Sequence, residues 1–157
     1  MNCFENINAT FSKDIDSIYN HYYRHFGAIN ADVNTFEVLD ERYFAMDSLH
    51  VFSMTYPSHE GTKLVTIPKN PNEQVSLLND VFLKIGEKIF YRGTHLENLN
   101  HQEVEIVENS FYIKDKNHVY YKGQLLKDAD AATFGKLGQW EIGDKNGAYR
   151  EGTREKK

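Results

Sequence analysis

Apolar residues along most of the chain occur in short runs, separated by the turn-forming residues Asp, Asn and Gly. The clearest example is Phe111-Tyr112-Ile113, followed by Asp115-Lys116-Asn117 and then by Val119-Tyr120-Tyr121. Aromatic and β-branched residues favour strands, and Asp and Asn reverse a chain because their side chains hydrogen-bond to the local backbone. The pattern therefore predicts β-hairpins.

The hairpin pattern recurs along the chain. Aligning the copies gives five anchor positions, separated by 33, 38, 30 and 29 residues. The anchors are Asp14, Asp47, Ile85, Asp115 and Asp144, so the middle copy lacks the carboxylate. A nearly constant period of this length is typical of stacked supersecondary units, each of which packs on its neighbours.

A second shared segment follows some of the hairpins. It reads Ala129-Asp130-Ala131-Ala132-Thr133-Phe134 in one copy and Ala31-Asp32-Val33-Asn34-Thr35-Phe36 in another. An Asp before small and apolar residues is typical of a helix N-cap, so the segment predicts one or two helical turns. The predicted fold is therefore a β-rich α+β class: an antiparallel sheet of repeated β-hairpins with short helices packed on one face.

Two further segments add to this prediction. The repeat pattern predicts strands near Asp14, but apolar residues between Ser12 and Phe26 recur at intervals of 3 and 4, which favours an amphipathic helix. Of the two, we expect the N-terminal helix. The additional length between the second and third anchors contains Lys63–Pro68, which predicts one more strand.

The length of 157 residues is typical of one domain. We expect a single repeat-containing domain over residues 1–150, followed by a charged, disordered tail over residues 151–157. The single Cys3 excludes an internal disulfide. The chain has no apolar segment long enough for a membrane span, and its start lacks the features of a secretory signal. The expected location is the cytoplasm.

Motifs of enzymes and of cofactor sites are absent from the sequence. Asp115-Lys116-Asn117 resembles only a fragment of a calcium loop, and turn formation explains it better. His21 and His25 have the spacing of two metal ligands on a helix, but a third ligand is missing. The sequence contains no nucleophile elbow and no phosphate-binding glycine loop. We therefore predict no catalytic residues, no cofactor and no metal.

The distribution of charge suggests which kind of surface the protein presents. The net charge is −5, and the excess lies in residues 1–78, which contain 10 acidic and 5 basic residues. Residues 79–157 contain 13 of each. An acidic balance disfavours nucleic acid and anionic membranes as partners. Any acidic face of the protein must therefore come from the first half.

The run Lys114 to Tyr121, together with Ala129-Asp130 and Thr133-Phe134, resembles the bacterial DKNYY family, which is named for Asp-Lys-Asn followed by paired tyrosines. The match is best over residues 109–137 and departs from the family at Ile85-Gly86-Glu87. The resemblance implies small bacterial proteins without assigned biochemistry, of which some kinds lie beside polymorphic toxin genes as candidate immunity proteins. It implies no catalytic residues.

These observations lead to a hypothesis about function: an immunity protein that binds and neutralises a cognate bacterial toxin, for example a nuclease domain of a contact-dependent inhibition or secretion system, by blocking its active site. An acidic surface would complement such a basic partner. The alternatives are a scaffolding repeat module that self-associates and a hydrolase without a recognisable motif. The predicted partner-binding residues are Asp14, Asp16, Tyr22, Tyr23, Asp32, Glu37, Asp40 and Glu41.

Overall fold

The computed structural model describes residues 4–21, 27–55 and 63–156. Within these ranges the chain consists of short antiparallel strands that form five four-stranded sheets. Each sheet is a meander, in which strands that follow one another along the chain are hydrogen-bonded neighbours. The same supersecondary unit therefore repeats five times.

The strands are as follows, in chain order. Sheet 1 contains β1 (Glu5–Asn6), β2 (Phe11–Lys13), β3 (Ile18–Asn20) and β4 (Gly27–Ile29). Sheet 2 contains β5 (Glu37–Val38), β6 (Phe44–Met46), β7 (His50–Thr55) and β8 (Lys63–Pro68). Sheet 3 contains β9 (Val75–Leu77), β10 (Phe82–Ile85), β11 (Lys88–Tyr91) and β12 (Thr94–His95). Sheet 4 contains β13 (Glu105–Ile106), β14 (Tyr112–Lys114), β15 (Val119–Tyr121) and β16 (Gln124–Leu125). Sheet 5 contains β17 (Gly135–Lys136), β18 (Ile142–Asp144), β19 (Gly147–Arg150) and β20 (Thr153–Arg154).

The five anchors occupy equivalent places in the five sheets. Each lies at the turn that joins the second strand to the third, which is the central hairpin of its sheet. The hairpins predicted from the recurrent Asp are thus confirmed, and so is the strand predicted over Lys63–Pro68, which is β8.

The predicted fold class is wrong in two respects: the hairpins belong to five separate small sheets rather than to one antiparallel sheet, and the predicted helices are not formed in the described ranges. The only helical segment in the described ranges is a three-residue 3-10 turn, Val107–Asn109, so the fold is nearly all β rather than α+β. Asp130 does begin a turn, but one of four residues, in which the Thr133 N–H donates to the Asp130 carbonyl at 3.2 Å and to its Oδ1 at 3.1 Å. An Asp that caps a helix and an Asp that opens a β-turn offer the same oxygen to the same N–H groups, so the motif alone does not distinguish them.

The N-terminal helix is also absent from the described part of Ser12–Phe26. Residues on both sides of Asp14 form β2 and β3, which pair with each other. The Asp14 carboxylate accepts hydrogen bonds from the Asp16 and Ser17 N–H groups, which closes the hairpin. Ile15 fits the apolar helical spacing, yet its side chain is 74% exposed in this turn. Residues 22–26 lie outside the described ranges.

The chain divides into two compact units, Met1–Gln74 and Val75–Lys157. In the first unit, apolar side chains of sheets 1 and 2 share a core that includes Phe11, Ile18 and Phe52. In the second unit, one core lies between sheets 3 and 4, and another lies between sheets 4 and 5 around Tyr112 and Phe134. Within each unit the stability comes from burial of apolar area between successive sheets.

Sheet 5 differs from the sheets before it. Tyr112 begins β14 and packs in the core between sheets 4 and 5, whereas the matching position before β18 is the exposed Glu141. Arg150 forms an ion pair of 2.7 Å with Glu155. Residues 151–157, predicted to be disordered, contain β20, which pairs with β19. No helix in the described ranges has the length and apolarity needed to cross a membrane.

Candidate binding surface

Asp115 closes its own hairpin and also binds the loop that leads into sheet 4. In sheet 4, Oδ1 of Asp115 accepts the N–H groups of Asn117 and His118, each at 2.7 Å. Its Oδ2 accepts the N–H of Asn100, 15 residues earlier, at 2.8 Å. The side chain is almost completely buried, so these donors replace the water that the carboxylate would otherwise bind.

The same arrangement recurs in two other sheets. Asp47 accepts the N–H groups of Leu49 and His50 through Oδ1 and that of Asp32 through Oδ2. Asp144 accepts the N–H of Asn146 through Oδ1 and that of Asp130 through Oδ2. We call this bridge between a hairpin turn and its preceding loop the Asp clamp, formed by Asp47, Asp115 and Asp144. It explains why Asp recurs at the anchor positions.

A threonine of the preceding loop makes a second link to the hairpin. The Thr35 hydroxyl accepts the N–H of Ser48, and the Thr133 hydroxyl accepts that of Lys145, both at 3.1 Å. In each case the donor follows the clamp Asp directly. The Asp and Thr of the recurrent Ala-Asp-x-x-Thr-Phe segment therefore attach the loop to the sheet.

Two sheets lack the full clamp, and each satisfies its polar groups in another way. In sheet 3 the anchor is Ile85, and the N–H of Asn70, which corresponds to Asn100, donates to the Glu73 carboxylate at 3.0 Å. In sheet 1, Oδ2 of Asp14 accepts the Tyr19 hydroxyl at 2.7 Å. The clamp is therefore a structural device of the repeat that can be replaced.

The clamp donors lower the pKa of the three clamp carboxyls. Burial by itself would raise the pKa of Asp47, Asp115 and Asp144. The N–H groups that donate to them stabilise the ionised form more strongly, so each pKa lies below the ordinary value of 3.8. Asp144 is also stabilised by Arg154, whose Nη2 lies 3.1 Å from Oδ2.

This electrostatic arrangement predicts acid unfolding. Because the folded pKa of each clamp Asp is depressed, the stabilisation is fully present above about pH 4 and is lost as the pH falls through the lowered folded values. We expect the free energy of unfolding by urea to fall over that range. Asp47→Asn removes one of the titrating groups and should give a shallower pH dependence. An equal pH dependence for the wild type and this variant would contradict the assignment.

The tyrosine pair of the motif is also structural. Tyr120 is buried between sheets 3 and 4. Tyr121 packs on the side of sheet 5, where Gly152 lies against its ring. Tyr91 has the same relation to Gly123 one repeat earlier. Both tyrosines of the motif thus serve to stack one sheet on the next.

Two histidines lie beside clamp carboxylates. Nδ1 of His50 is 3.1 Å from Asp47 Oδ1, and Nδ1 of His118 is 3.3 Å from Asp115 Oδ1. Each carboxylate also holds backbone donors, and the pairs occur at equivalent turns of different sheets. This favours a role in the turn over a single reactive centre. No group of three or more His, Cys, Asp or Glu side chains in the described ranges is placed to hold a metal ion.

The predicted partner-binding residues lie at different edges of the first unit. The turns after Asn8 and Asp40 are in contact, through a bond from Asn8 Nδ2 to the Asp40 carbonyl, 3.3 Å long. Because each sheet is a meander, the hairpin turns at Asp14 and Asp47 are both at the opposite ends of the strands, which we call the hairpin edge. Asp40 and Glu41 are at the first edge. Tyr22 and Tyr23 lie outside the described residues.

The other four predicted residues, Asp14, Asp16, Asp32 and Glu37, are at the hairpin edge. Three of the six described candidates serve as acceptors within turns. Asp14 closes the first hairpin, Asp32 accepts the Asn34 N–H and the Thr35 hydroxyl, and Asp40 accepts three backbone N–H groups. Asp16, Glu37 and Glu41 are exposed.

Two apolar side chains outside the predicted set of binding residues lie at the hairpin edge. Ile15 is 74% exposed, and Leu49 in the next hairpin turn is 48% exposed. Their exposure could have been predicted from the sequence, because both lie inside turns that begin at Asp14 and Asp47. The centre of a tight turn cannot be buried by its own sheet. We define the acidic edge as Ile15, Asp16, Asp32, Glu37 and Leu49.

The chain matches the family model described as the DKNYY family over residues 11–153. This range includes all five anchors. No curated protein and no solved structure matches the chain significantly.

Proposed function

We propose that this chain, which belongs to the DKNYY family, is a protein-binding module that neutralises a bacterial toxin in the cytoplasm by covering the toxin's active site with the acidic edge. The observation that carries the proposal is the presence of exposed aliphatic side chains among carboxylates at that edge. Asp115, Tyr120 and Tyr121 of the family motif have structural roles, so the proposal places binding on residues outside the motif.

The acidic edge has the composition of a recognition surface. Exposed Ile15 and Leu49 offer apolar area that a partner can bury, which supplies affinity. Asp16, Asp32 and Glu37 lie at the same edge and add negative charge, which speeds the capture of a basic partner and orients it. The Lys69 amine, 3.0 Å from the Ser48 carbonyl in the Leu49 turn, offsets one of these charges. A nuclease domain, whose own site must attract phosphate, presents such a basic surface.

An exposed aromatic residue of the second unit, Trp140, provides an internal comparison. Trp140 is 89% exposed in the turn between β17 and β18 of the second unit. The neighbouring β17 carries Lys136, which is paired with Glu108 at 3.1 Å. The exposed Glu141 adds one carboxylate beside Trp140, against three exposed carboxylates at the acidic edge, so a basic partner finds less negative charge here. The proposal therefore places the partner on the acidic edge and leaves Trp140 outside the contact.

Substitutions at the acidic edge test the proposal. The edge variant combines Ile15→Ser, Asp16→Lys, Glu37→Lys and Leu49→Ser. We expect it to keep its thermal stability but to bind the toxin domain from the neighbouring open reading frame at least ~100-fold more weakly, because it loses two apolar contacts and reverses two charges. Calorimetry measures the affinity, and growth of cells that express the toxin domain measures protection.

A matched control carries the same kinds of change in the second unit: Glu87→Lys, Glu97→Lys and Trp140→Ala. All three side chains are exposed. We expect this control to bind and protect like the wild type. Full protection by the edge variant, or loss of protection by the control alone, would show that the acidic edge is not the binding surface.

A further inference from the structure

The last strand of sheet 2 differs from its counterparts. β8 runs over six residues, Lys63–Pro68, and pairs along its whole length with β7. The corresponding last strands β12, β16 and β20 each have two residues, and β4 has three. Short edge strands protect a sheet from pairing with another chain. Among the last strands of the five described sheets, β8 is therefore the one that lacks this protection.

The register of the ladder shows which backbone groups of β8 face away from its sheet. The Lys69 N–H donates to the Leu49 carbonyl at 2.8 Å, at a position directly opposite in the same register. Hydrogen-bonded pairs alternate along an antiparallel ladder, so Val65 and Ile67 also bond to β7. The N–H and C=O groups of Leu64 and Thr66 then point outward. In the described ranges no backbone bond to these outward groups is formed.

We infer that β8 pairs antiparallel with β8 of a second copy of this chain, centred on Val65. In this register Leu64 of one copy lies opposite Thr66 of the other, and both residues have outward-facing backbone groups. The two symmetric Leu64 and Thr66 pairs form four hydrogen bonds, which satisfy all the outward groups of these residues. The edge is thus complementary to itself.

The side chains are compatible with this pairing. Val65 meets Val65 of the second copy at the two-fold axis, and Lys63 lies opposite Ile67, so no like charges face each other. A two-fold contact joins the β8 edge of one copy to the β8 edge of the other, so neither edge stays open for a third copy. The product is a dimer rather than a fibre. Because two six-residue strands bury little area, we expect a dissociation constant in the micromolar range or weaker. The contact is lateral to the strands and leaves the acidic edge at their ends free.

Substitution of Thr66 distinguishes backbone pairing from other association. Thr66→Pro removes an outward N–H without removing a bond to β7, and proline is tolerated on the open side of an edge strand. Thr66→Val keeps the N–H and the side-chain volume. In sedimentation experiments up to ~1 mM protein, we expect the wild type and Thr66→Val to form dimers, and Thr66→Pro to associate at least ~10-fold more weakly. A monomeric wild type, or an equally dimeric Thr66→Pro, would overturn the inference.

Cross-linking provides a test that does not depend on how Thr66→Pro folds. In a Cys3→Ser background, Val65→Cys places two thiols across a non-hydrogen-bonded pair, where Cα atoms are about 4.5 Å apart and a disulfide fits. Thr66→Cys is the matched control, because its copies lie diagonally at about 7 Å or more. We expect faster disulfide-linked dimer formation for Val65→Cys. Equal rates would rule out the register. Neither experiment uses the toxin, so its outcome is independent of the proposed function.

Discussion

Replacement of Asp115 by alanine is expected to lower the free energy of unfolding by about 3–5 kcal/mol. The carboxylate accepts three backbone N–H groups, those of Asn100, Asn117 and His118, in a site that excludes water. Alanine offers no acceptor, so these donors remain without partners, and the loop is no longer attached to the hairpin. Urea denaturation followed by circular dichroism measures the change.

Glu87→Ala is the matched control for this substitution. Glu87 lies in the central hairpin turn of sheet 3, where the anchor is Ile85, and its side chain is exposed. Exposed substitutions of this kind change stability by less than about 0.5 kcal/mol. If Asp115→Ala were as mild as Glu87→Ala, the clamp would contribute nothing beyond ordinary turn formation.

Replacement of Gly152 by alanine is expected to destabilise the protein by about 3 kcal/mol. Gly152 has a φ of 78°, a left-handed conformation that costs other residues roughly 1–2 kcal/mol. A Cβ there would lie 2.6 Å from Cδ1 of Tyr121 and 3.1 Å from its Cγ, which adds a packing cost of about 1–3 kcal/mol. The Gly152 N–H also donates to the Tyr112 hydroxyl at 2.9 Å, so a shift of the turn would break a second contact. Thermal and urea denaturation both measure the loss.

Gly135→Ala tests whether the effect is specific to this contact. A Cβ at Gly135 would meet no atom within 4 Å. Because alanine restricts the unfolded chain more than glycine does, we expect no loss and even a slight gain in stability. Similar losses for both variants would mean that Gly152 is not required by its position against Tyr121.

The hairpins could be predicted from the sequence because each one is specified by residues that lie close together in the chain. An Asp followed two or three residues later by Ser, Asn or His, between two apolar runs, specifies a turn whose N–H groups the carboxylate accepts. β8 could be predicted for the same reason, since Lys63–Pro68 is a β-branched run ended by proline. Four copies of this Asp turn, with a hairpin at Ile85 at the matching spacing, then indicated five repeats.

The loops could not be assigned in the same way. Asp130 and Asp32 carry a signal shared by helix caps and β-turns, and the choice is made by a partner 14 or 15 residues later, Asp144 or Asp47. That contact exists only after the hairpin has formed. The N-terminal helix was wrongly predicted for a related reason. The apolar spacing that favoured it includes Ile15, but the turn closed by Asp14 exposes Ile15 to solvent.

The candidate site was predictable only in part. Charge counting pointed to the first half, but it does not distinguish a free carboxylate such as Asp16 from one that closes a turn, such as Asp40. It also gave no information on which edge each residue occupies. Glu41 and Asp16 contribute equally to a count of acidic residues in the first half, yet their turns lie at opposite edges of the sheets.

Amide hydrogen exchange in Asp115→Asn tests the Asp clamp most directly. Asparagine keeps one acceptor oxygen for the Asn117 and His118 N–H groups but places an NH₂ group against the N–H of Asn100. The clamp predicts that exchange at Asn100 accelerates at least ~10-fold relative to exchange at Asn117 and His118. Unchanged protection of Asn100, with the hairpin amides equally protected, would contradict the clamp and the account of the repeat that rests on it.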